Sequence, residues 1–479
     1  MLKMGKRMIT FLLMVCMLCL ITGCGKPSSV ADELGGLEDD STEGESAAAF
    51  QKGALSDSLG MKDNKWEDSF AIDGEDVQKV EIHVDVQLPD TDHMNVADLE
   101  LNHPSSDGMK ELIGKLFDDG KAGVLDEESY PKWKLERLVE QYERLVAAWN
   151  ESDSLEDWES PSKKEDEERL KKYQGQLTGA SDEMVASTGY EENGYWGEVD
   201  GRVWELTKYK VGEDEYGITA ELANKQEGLV TQIDTSSDDI YMYVGNTQDN
   251  VENVCSISQE DAIRQAADFL SKLGYGEYEV KETKPIQWSM AWYDGGKEET
   301  FTEGYIVYFG RAVDGIQIST DSYVMPIVEG NVLNYYNDEE AWVRVTDAGV
   351  IGFDVQCPRT LKIDSVTETS LLSFDKIQDR IKECITRKVV EKSPDLRGNS
   401  MHVLELDHMD LTYMVLTGDE YTVIPVWRIY NYNVAVGNGD LIYDFILINA
   451  IDGSEIDWLS VYCRTLSDAE WEEEFGSWE

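Results

Sequence analysis

The sequence predicts an α+β fold, with helices laid on antiparallel sheets. Three observations carry that reading. An amphipathic helical pattern opens near residue 258 and gives way to β-branched and aromatic runs as far as residue 340. A second stretch of the same order, helix pattern and then strand pattern, runs from 373 to 460. Asp-Gly pairs stand between or beside strand runs at Asp314-Gly315 and Asp452-Gly453, the chemistry of a tight hairpin turn. The expected organisation is two helix-plus-antiparallel-sheet units in the C-terminal half, preceded by a mixed helical and β N-terminal region.

In chain order, residues 1–23 read as a lipoprotein signal peptide. Lys3, Lys6 and Arg7 precede an apolar run over 8–21 that is too short for a comfortable membrane span. The run ends in Ile21-Thr22-Gly23-Cys24, which is similar to a bacterial lipobox. That resemblance implies that Cys24 is diacylated through its sulfur. The chain is therefore expected on the extracytoplasmic face of the cell membrane, lipid-anchored. Residues 24–65 form an acidic linker, dense in Gly, Ser, Asp and Glu and without apolar period, so it cannot bury enough surface to fold. About 40 such residues give a coil of roughly 35 Å, enough to hold the folded part clear of the bilayer.

An N-terminal α+β domain is expected over 66–250. Val80, Ile82, Val84 and Val86 alternate as a half-buried strand. Met109, Leu112, Ile113, Leu116 and Phe117 mark a short helix. A longer one opens near Glu127, with Pro131 tolerated in its first turn and a stripe from Leu135 to Trp149. Residues 152–173 are highly charged and read as a solvated helix or loop. Strands follow over 202–209, 216–222, 229–233 and 240–244.

The first C-terminal unit spans 251–345. Ser258 and Asp261 form a capping pattern, and the acids suit the positive end of the helix dipole. Ile263, Ala266, Ala267, Leu270 and Leu273 fall on one helical face, and Gly274 is placed to end the helix. Strands are expected over 275–288, 305–313, 316–328 and 332–345. The second unit spans 346–479. Its helical stripe is Phe374, Ile377, Ile381, Cys384, Ile385 and Val389, with strands over 401–416, 421–434, 441–451 and 455–462.

The runs from Tyr305 through Arg311 to Ile316, and Val426-Trp427-Arg428-Ile429 with Ile448 to Ser454, resemble PepSY-like modules. The whole chain is similar to a family of uncharacterised Gram-positive bacterial lipoproteins, a domain of unknown function. The resemblance implies a helix paired with a curved antiparallel sheet and brings no catalytic residues. Modules of that kind act as extracytoplasmic inhibitors and regulators of envelope proteins.

Charge narrows the function further. Asp and Glu number 97 against 42 Lys and Arg, a net charge of −55 that repels nucleic acid and anionic lipid headgroups and attracts cations or a basic partner. No cofactor motif is present: neither a phosphate-binding Gly-rich loop nor a Gly-x-Ser-x-Gly elbow occurs. No metal motif is present either. His83, His93 and His103 stand ten apart and read as strand and loop histidines, as do His402 and His408. Acidic loops at 73–76, 234–239 and 407–410 do not fit the EF-hand pattern and read as solvated turns. Cys255, Cys357, Cys384 and Cys463 allow three disulfide pairings, and nothing in the sequence chooses among them. Trp288, Trp292, Tyr293, Tyr195 and Trp196 are places where a glycan could stack, although rows of aromatics packing sheets on helices are the commoner use.

The expected role is non-enzymatic: a binding or regulatory module for a cell-envelope protein, peptide or glycan. The expected contact surface surrounds Arg311 and Tyr323, with a local salt bridge as the bland alternative for Arg311. A hydrolase working through a spatially assembled carboxylate pair is the second reading. A solute-binding lipoprotein is the third, disfavoured by the strand-after-strand order. A deep pocket holding carboxylates of raised pKa would favour the hydrolase, and an open apolar patch the interaction module.

Overall fold

The computed structural model describes residues 54–72, 79–102, 105–151, 161–187, 189–211, 215–223, 239–244, 252–291, 299–319, 331–334, 339–392, 403–417, 421–430, 445–457 and 463–466. A short helix α1 (Ala54–Ser58) leads into strands β1 (Lys65–Ala71), β2 (Lys79–Gln87) and β3 (Met94–Leu101). Helix α2 (Ser106–Leu116), strand β4 (Gly123–Val124) and the helices α3 (Lys132–Glu151) and α4 (Pro161–Leu177) come next. Strands β5 (Gly194–Val199), β6 (Arg202–Lys210), β7 (Tyr216–Leu222), β8 (Asp239–Val244) and β9 (Glu252–Asn253) precede helix α5 (Gln259–Leu273). After it run β10 (Tyr278–Ala291), β11 (Glu299–Val313), β12 (Ile316–Gln317), β13 (Asn331–Asn334), β14 (Glu340–Thr346), β15 (Gly349–Gln356), β16 (Arg359–Leu361) and β17 (Thr367–Thr369). Helix α6 (Phe374–Lys392) and strands β18 (Val403–Leu416), β19 (Tyr421–Tyr430), β20 (Phe445–Asn449) and β21 (Cys463–Leu466) complete the described chain.

Two large sheets organise these elements, and the class is α+β. The first is eight-stranded, in the order β1-β2-β18-β19-β3-β16, with β17 on β3 and β20 on β19. The second is eleven-stranded, β4-β5-β6-β7-β15-β14-β11-β10-β8, with β9 and β12 on β11. Pairing is antiparallel except for β2 with β18 and β9 with β11. The first sheet thus takes its strands from both ends of the chain, and everything from α2 to β15 is inserted between its β3 and β16. These sheets cut across the 66–250, 251–345 and 346–479 division expected from the sequence. The reason is the long-range pairing of β18 with β2, Leu404 facing Val80 and Leu406 facing Ile82, which no local pattern announces.

Each helix sits where its stripe directs it. In α5 the Ser258 hydroxyl accepts from the Asp261 backbone N–H at 3.1 Å, and Gly274 closes the helix at φ 106°, a value cheap only for glycine. Ala262, Ala266, Leu270 and Leu273 are buried against Phe309, Val343, Phe353 and Val355 of the second sheet. Helix α2, capped by Ser105, buries Met109, Leu112, Ile113 and Leu116 in the same core. Helix α6 lays Phe374, Ile377, Ile381, Cys384 and Ile385 on the first sheet, against Val80, Ile82, Leu404, Trp427 and Ile429. A fully buried aliphatic side chain of this kind contributes about 1.5–3 kcal/mol relative to exposure. Among the described residues, no helix is long and apolar enough to cross a membrane.

The two cores are joined by the β11–β12 hairpin. Asp314 and Gly315 stand at φ 51° and 77°, the paired positive values of a type I′ turn, as the Asp-Gly signal predicts. The hairpin carries Val313 and Ile318 out of the second sheet into the core of the first. Its tip is held there: the Asn95 side-chain amide donates to the Asp314 carboxylate, and Ser319 N–H donates to the Tyr413 carbonyl at 2.8 Å. The strand expected over 316–328 is two residues of β12 followed by an isolated bridge from Ile318 to Tyr413, with 320–328 lying outside the described residues. The strand expected over 332–345 is two strands in different sheets, since β13 pairs with β21.

Candidate functional site

Strand alternation gives the second sheet an inner face on α5 and an outer face turned away from it. On the outer face the register sets one row of side chains across six strands. Glu282 faces Tyr308, Tyr308 faces Trp342, Trp342 faces Asp354, Asp354 faces Thr219, and Thr219 faces Thr207. Tyr308 and Trp342 are half-buried, and Asp354 keeps 9% of its surface. The hairpin of α3 and α4 flanks this face at the β5–β6 end, where Arg137 donates to Glu205 at 3.1 Å and Trp133 packs edge-on to Trp196.

Two glycines let long side chains lie flat on either side of the row. A Cβ at Gly217 would stand 2.2 Å from the ring of Tyr209; without it Tyr209 crosses β7 and donates to both oxygens of Asp354 at 2.9 and 3.0 Å. A Cβ at Gly352 would meet the Arg344 guanidinium at 3.0 Å; without it Arg344 crosses β15 to reach Glu221 at 3.1 Å. Arg344 also lies over the Trp342 ring, 4.9 Å from its centroid. Lys284 repeats the arrangement, 5.4 Å above the Tyr308 ring and 2.6 Å from Glu282.

The acids nearest Trp342 are less well compensated. Burial pushes the Asp354 carboxyl up to about 7; the Tyr209 and Thr219 hydrogen bonds oppose that rise, and the charge of Glu340 adds to it. Burial also raises Glu340, with Lys281 and Lys284 pulling the other way. Burial and the neighbouring Asp354 push the Tyr209 phenol well above its ordinary value. Glu340 and Trp342 lie two residues apart on the same face of β14, so Glu340 is a diagonal neighbour of Asp354. The arrangement offers an aromatic plane, two carboxyl groups that gain from an added cation, and a fixed hydroxyl.

The residues singled out from the sequence lie elsewhere. Cys24 and Tyr323 are outside the described residues. Arg311 is inside the molecule, 3% exposed, which removes it from any contact surface. Its Nε and Nη2 donate to Glu339 at 2.7 and 2.9 Å, Nη2 also to Glu277 at 2.9 Å, and its guanidinium lies 5.2 Å from the Tyr278 ring centroid. Glu339 in turn accepts from the Tyr278 hydroxyl at 2.6 Å and the Arg359 N–H at 2.7 Å. Arg359 donates to Glu215 at 2.6 Å and lies over Tyr421. Burial opposes the Arg311 charge, but the Glu339 contacts outweigh it and raise its pKa. This network rivets β11 of one sheet to β16 and β19 of the other. It is the local salt-bridge alternative for Arg311, with Arg311 and Glu339 buried and Glu277 half-exposed.

His83 pairs with Glu67, and His408 with Asp407 at 2.9 Å. His93 pairs with Asp92, while His103 and His402 lie outside the described residues. The expected acidic loop at 407–410 is the middle of β18, because its partner strand β19 supplies Arg428, which holds Asp410 through Nη2 at 2.6 Å. The loop at 73–76 lies outside the described residues, as does most of the one at 234–239. Cys255, Cys357 and Cys384 are thiols, and burial pushes Cys255 up to about 11, far from a reactive thiolate. The Cys463 side chain is outside the described set. Tyr195 is core, Trp196 is covered by Trp133, and the side chains of Trp288, Trp292 and Tyr293 lie outside the described set.

No family model matches the sequence, and no curated protein does. Among solved structures, the crystal structure of an uncharacterized protein from Eubacterium rectale ATCC 33656 is similar at 11% identity. The match covers 84% of this chain and 97% of that chain with a TM-score of 0.35, too faint to carry any inference about site or function.

Proposed function

We propose that this chain is a lipoprotein tethered through Cys24 to the extracytoplasmic face of the membrane, acting as a non-enzymatic binding module for a cell-envelope protein, peptide or glycan. The observation that carries the reading is the outer row Glu282–Tyr308–Trp342–Asp354. It is a half-buried sheet face with aromatic planes and charged groups side by side, the composition of an interface centre. The PepSY-like reading of the two C-terminal units draws support from their local order. Helix α5 is followed by the antiparallel meander β10–β11–β14, and α6 by β18–β19–β20.

One observation favours the hydrolase as second reading: Asp354 and Glu340 share a face, and burial raises both carboxyls, Asp354 to about 7. A single experiment separates the two. Membranes carrying the tethered protein are cross-linked and its neighbours captured, with Trp342→Ala and Cys24→Ala in parallel, and purified protein is assayed against cell-wall glycan, peptides and esters. The module reading expects a neighbour lost in Trp342→Ala, and release of Cys24→Ala from the membrane fraction. Turnover abolished by Asp354→Asn, with the fold intact, would replace it with the hydrolase.

A further inference from the structure

The outer face of the second sheet contains two complete copies of one recognition pattern. Lys284 lies on the Tyr308 ring with Glu282 behind it at 2.6 Å. Arg344 lies on the Trp342 ring with Glu221 behind it at 3.1 Å. In both, a cation meets the negative face of an aromatic ring and a carboxylate at once. Beside the same Trp342 ring stand two further carboxyl groups: Glu340 two residues before it and Asp354 opposite it in register. Among the described residues no Lys or Arg forms an ion pair with either carboxylate; Asp354 receives the neutral hydroxyl of Tyr209. Both acids hold their protons more tightly than free carboxyls, because burial outweighs the pull of Lys281 and Lys284 on Glu340 and that of the Tyr209 and Thr219 hydrogen bonds and the Arg344 charge on Asp354.

We infer that Glu340, Asp354 and Trp342 seat a basic side chain from an extended peptide segment of the partner. The inference rests on the binding-module reading above and names the partner's chemistry. Charge supports it from two scales. Locally, the groups facing this seat are Tyr209, Thr219 and Glu221, the cations Lys281, Lys284 and Arg344, and the acid Glu282, so the two carboxylates are the part of the face left to pair. Globally, a chain of net charge −55 attracts a basic segment over long range before the specific contacts form. The aromatic–cation–carboxylate geometry then selects a side chain with a charged head.

The test uses the full chain in detergent with EDTA present throughout, titrated calorimetrically with a tryptophan-free peptide of alternating Arg and Gly. The matching Glu-Gly peptide and a β-1,4-linked N-acetylglucosamine oligomer serve as comparison ligands. The expected result is binding of the Arg peptide alone, weakened about tenfold in Glu340→Gln and in Trp342→Phe, and more in Glu340→Gln with Asp354→Asn. The exposed pair Asp364→Asn with Glu368→Gln removes as much charge elsewhere and should leave affinity within about twofold. Equal losses in both double variants would reduce the binding to general attraction by an acidic surface and overturn the seat. So would no binding at all, or a Trp342-dependent preference for the sugar oligomer. Circular dichroism confirms that each variant folds, and the isosteric amides carry the test if Trp342→Phe does not. A Trp342-dependent neighbour captured from membranes that lacks a basic segment would sink this inference and leave the module reading standing. Failure to capture any neighbour would sink the module reading itself.

Discussion

The buried network around Arg311 and the outer row around Trp342 use the same parts: arginine, an aromatic ring and carboxylates. They differ in how completely those parts satisfy one another. In the network, Glu339 accepts from Arg311 twice, from Tyr278 and from the Arg359 backbone, all within 2.6–2.9 Å and with Arg311, Glu339 and Arg359 at most 5% exposed. The Glu339 carboxylate is engaged inside the fold, so the network holds two sheets together. On the outer face, Asp354 and Glu340 are partly desolvated without an ion-pair partner among the described residues. Such groups cost stability, and a fold retains them more readily where binding restores the balance.

The largest effect separating the two regions is expected at Glu339. Glu339→Gln leaves the Arg311 guanidinium buried with only Glu277, whose side chain is 50% exposed, as a charged partner. Breaking a buried pair from one side costs about 3–5 kcal/mol. Urea denaturation of the full chain measures it, followed by near-ultraviolet dichroism. A loss below about 1 kcal/mol would show that the junction is held by the β11–β12 hairpin and not by charge.

The second effect has the opposite sign. The Asp354 carboxyl titrates at about 7 in the fold against 3.8 as its ordinary value, so between those limits the folded state binds more protons than the unfolded. Stability from this group therefore falls as pH rises from 4 to 7, by ~4 kcal/mol at most at about 1.4 kcal/mol per pKa unit. Asp354→Asn removes the slope and makes the protein more stable than the parent at pH 8. Parallel denaturation midpoints from pH 4 to 8 test it, and a variant less stable at pH 8 would mean that Asp354 is already neutralised by a cation. Affinity for a basic peptide should run the other way, strengthening as pH rises through 7.

Much of the fold is legible in the sequence because it is local. The Ser258 cap, the α5 stripe and Gly274 all stand within 17 residues of one another, and the β2 alternation puts Val80, Ile82, Val84 and Val86 at 3% exposure or less. Asp314-Gly315 names its own turn. The insertion of α2 to β15 is not legible, since nothing near Leu404 states that its neighbour is Val80. Arg311 misleads for a related reason. Its aromatic surroundings resemble a hot spot, but Glu339 and Arg359 lie 28 and 48 residues away, and only the fold brings them in to bury it. The outer row was missed because register places it: Trp342 and Asp354 are adjacent only once β14 and β15 pair across a bulge at Arg344 and Val345. One signal was available. Glu340, Trp342 and Arg344 alternate with Ala341, Val343 and Val345, so one face of that strand had to carry charge and an aromatic together.

The smallest effect tests the comparison between two arginines directly. Arg344→Met removes a guanidinium that makes an ion pair and an aromatic contact, as Arg311 does. Its carboxylate partner Glu221 is 51% exposed, however, and its own Nε has no hydrogen-bond partner. A half-solvated pair contributes about 0–1 kcal/mol, the contact with Trp342 about 0.5–1 kcal/mol, and burying an unmatched N–H offsets part of both. The net loss on replacement is therefore about 1 kcal/mol or less, several-fold below that at Glu339. A loss as large as the one at Glu339 would make the outer row a second structural rivet. A small loss accompanied by tighter binding of the Arg peptide is the expected outcome, because the substitution also clears the Trp342 ring and leaves Glu221 for the incoming cation.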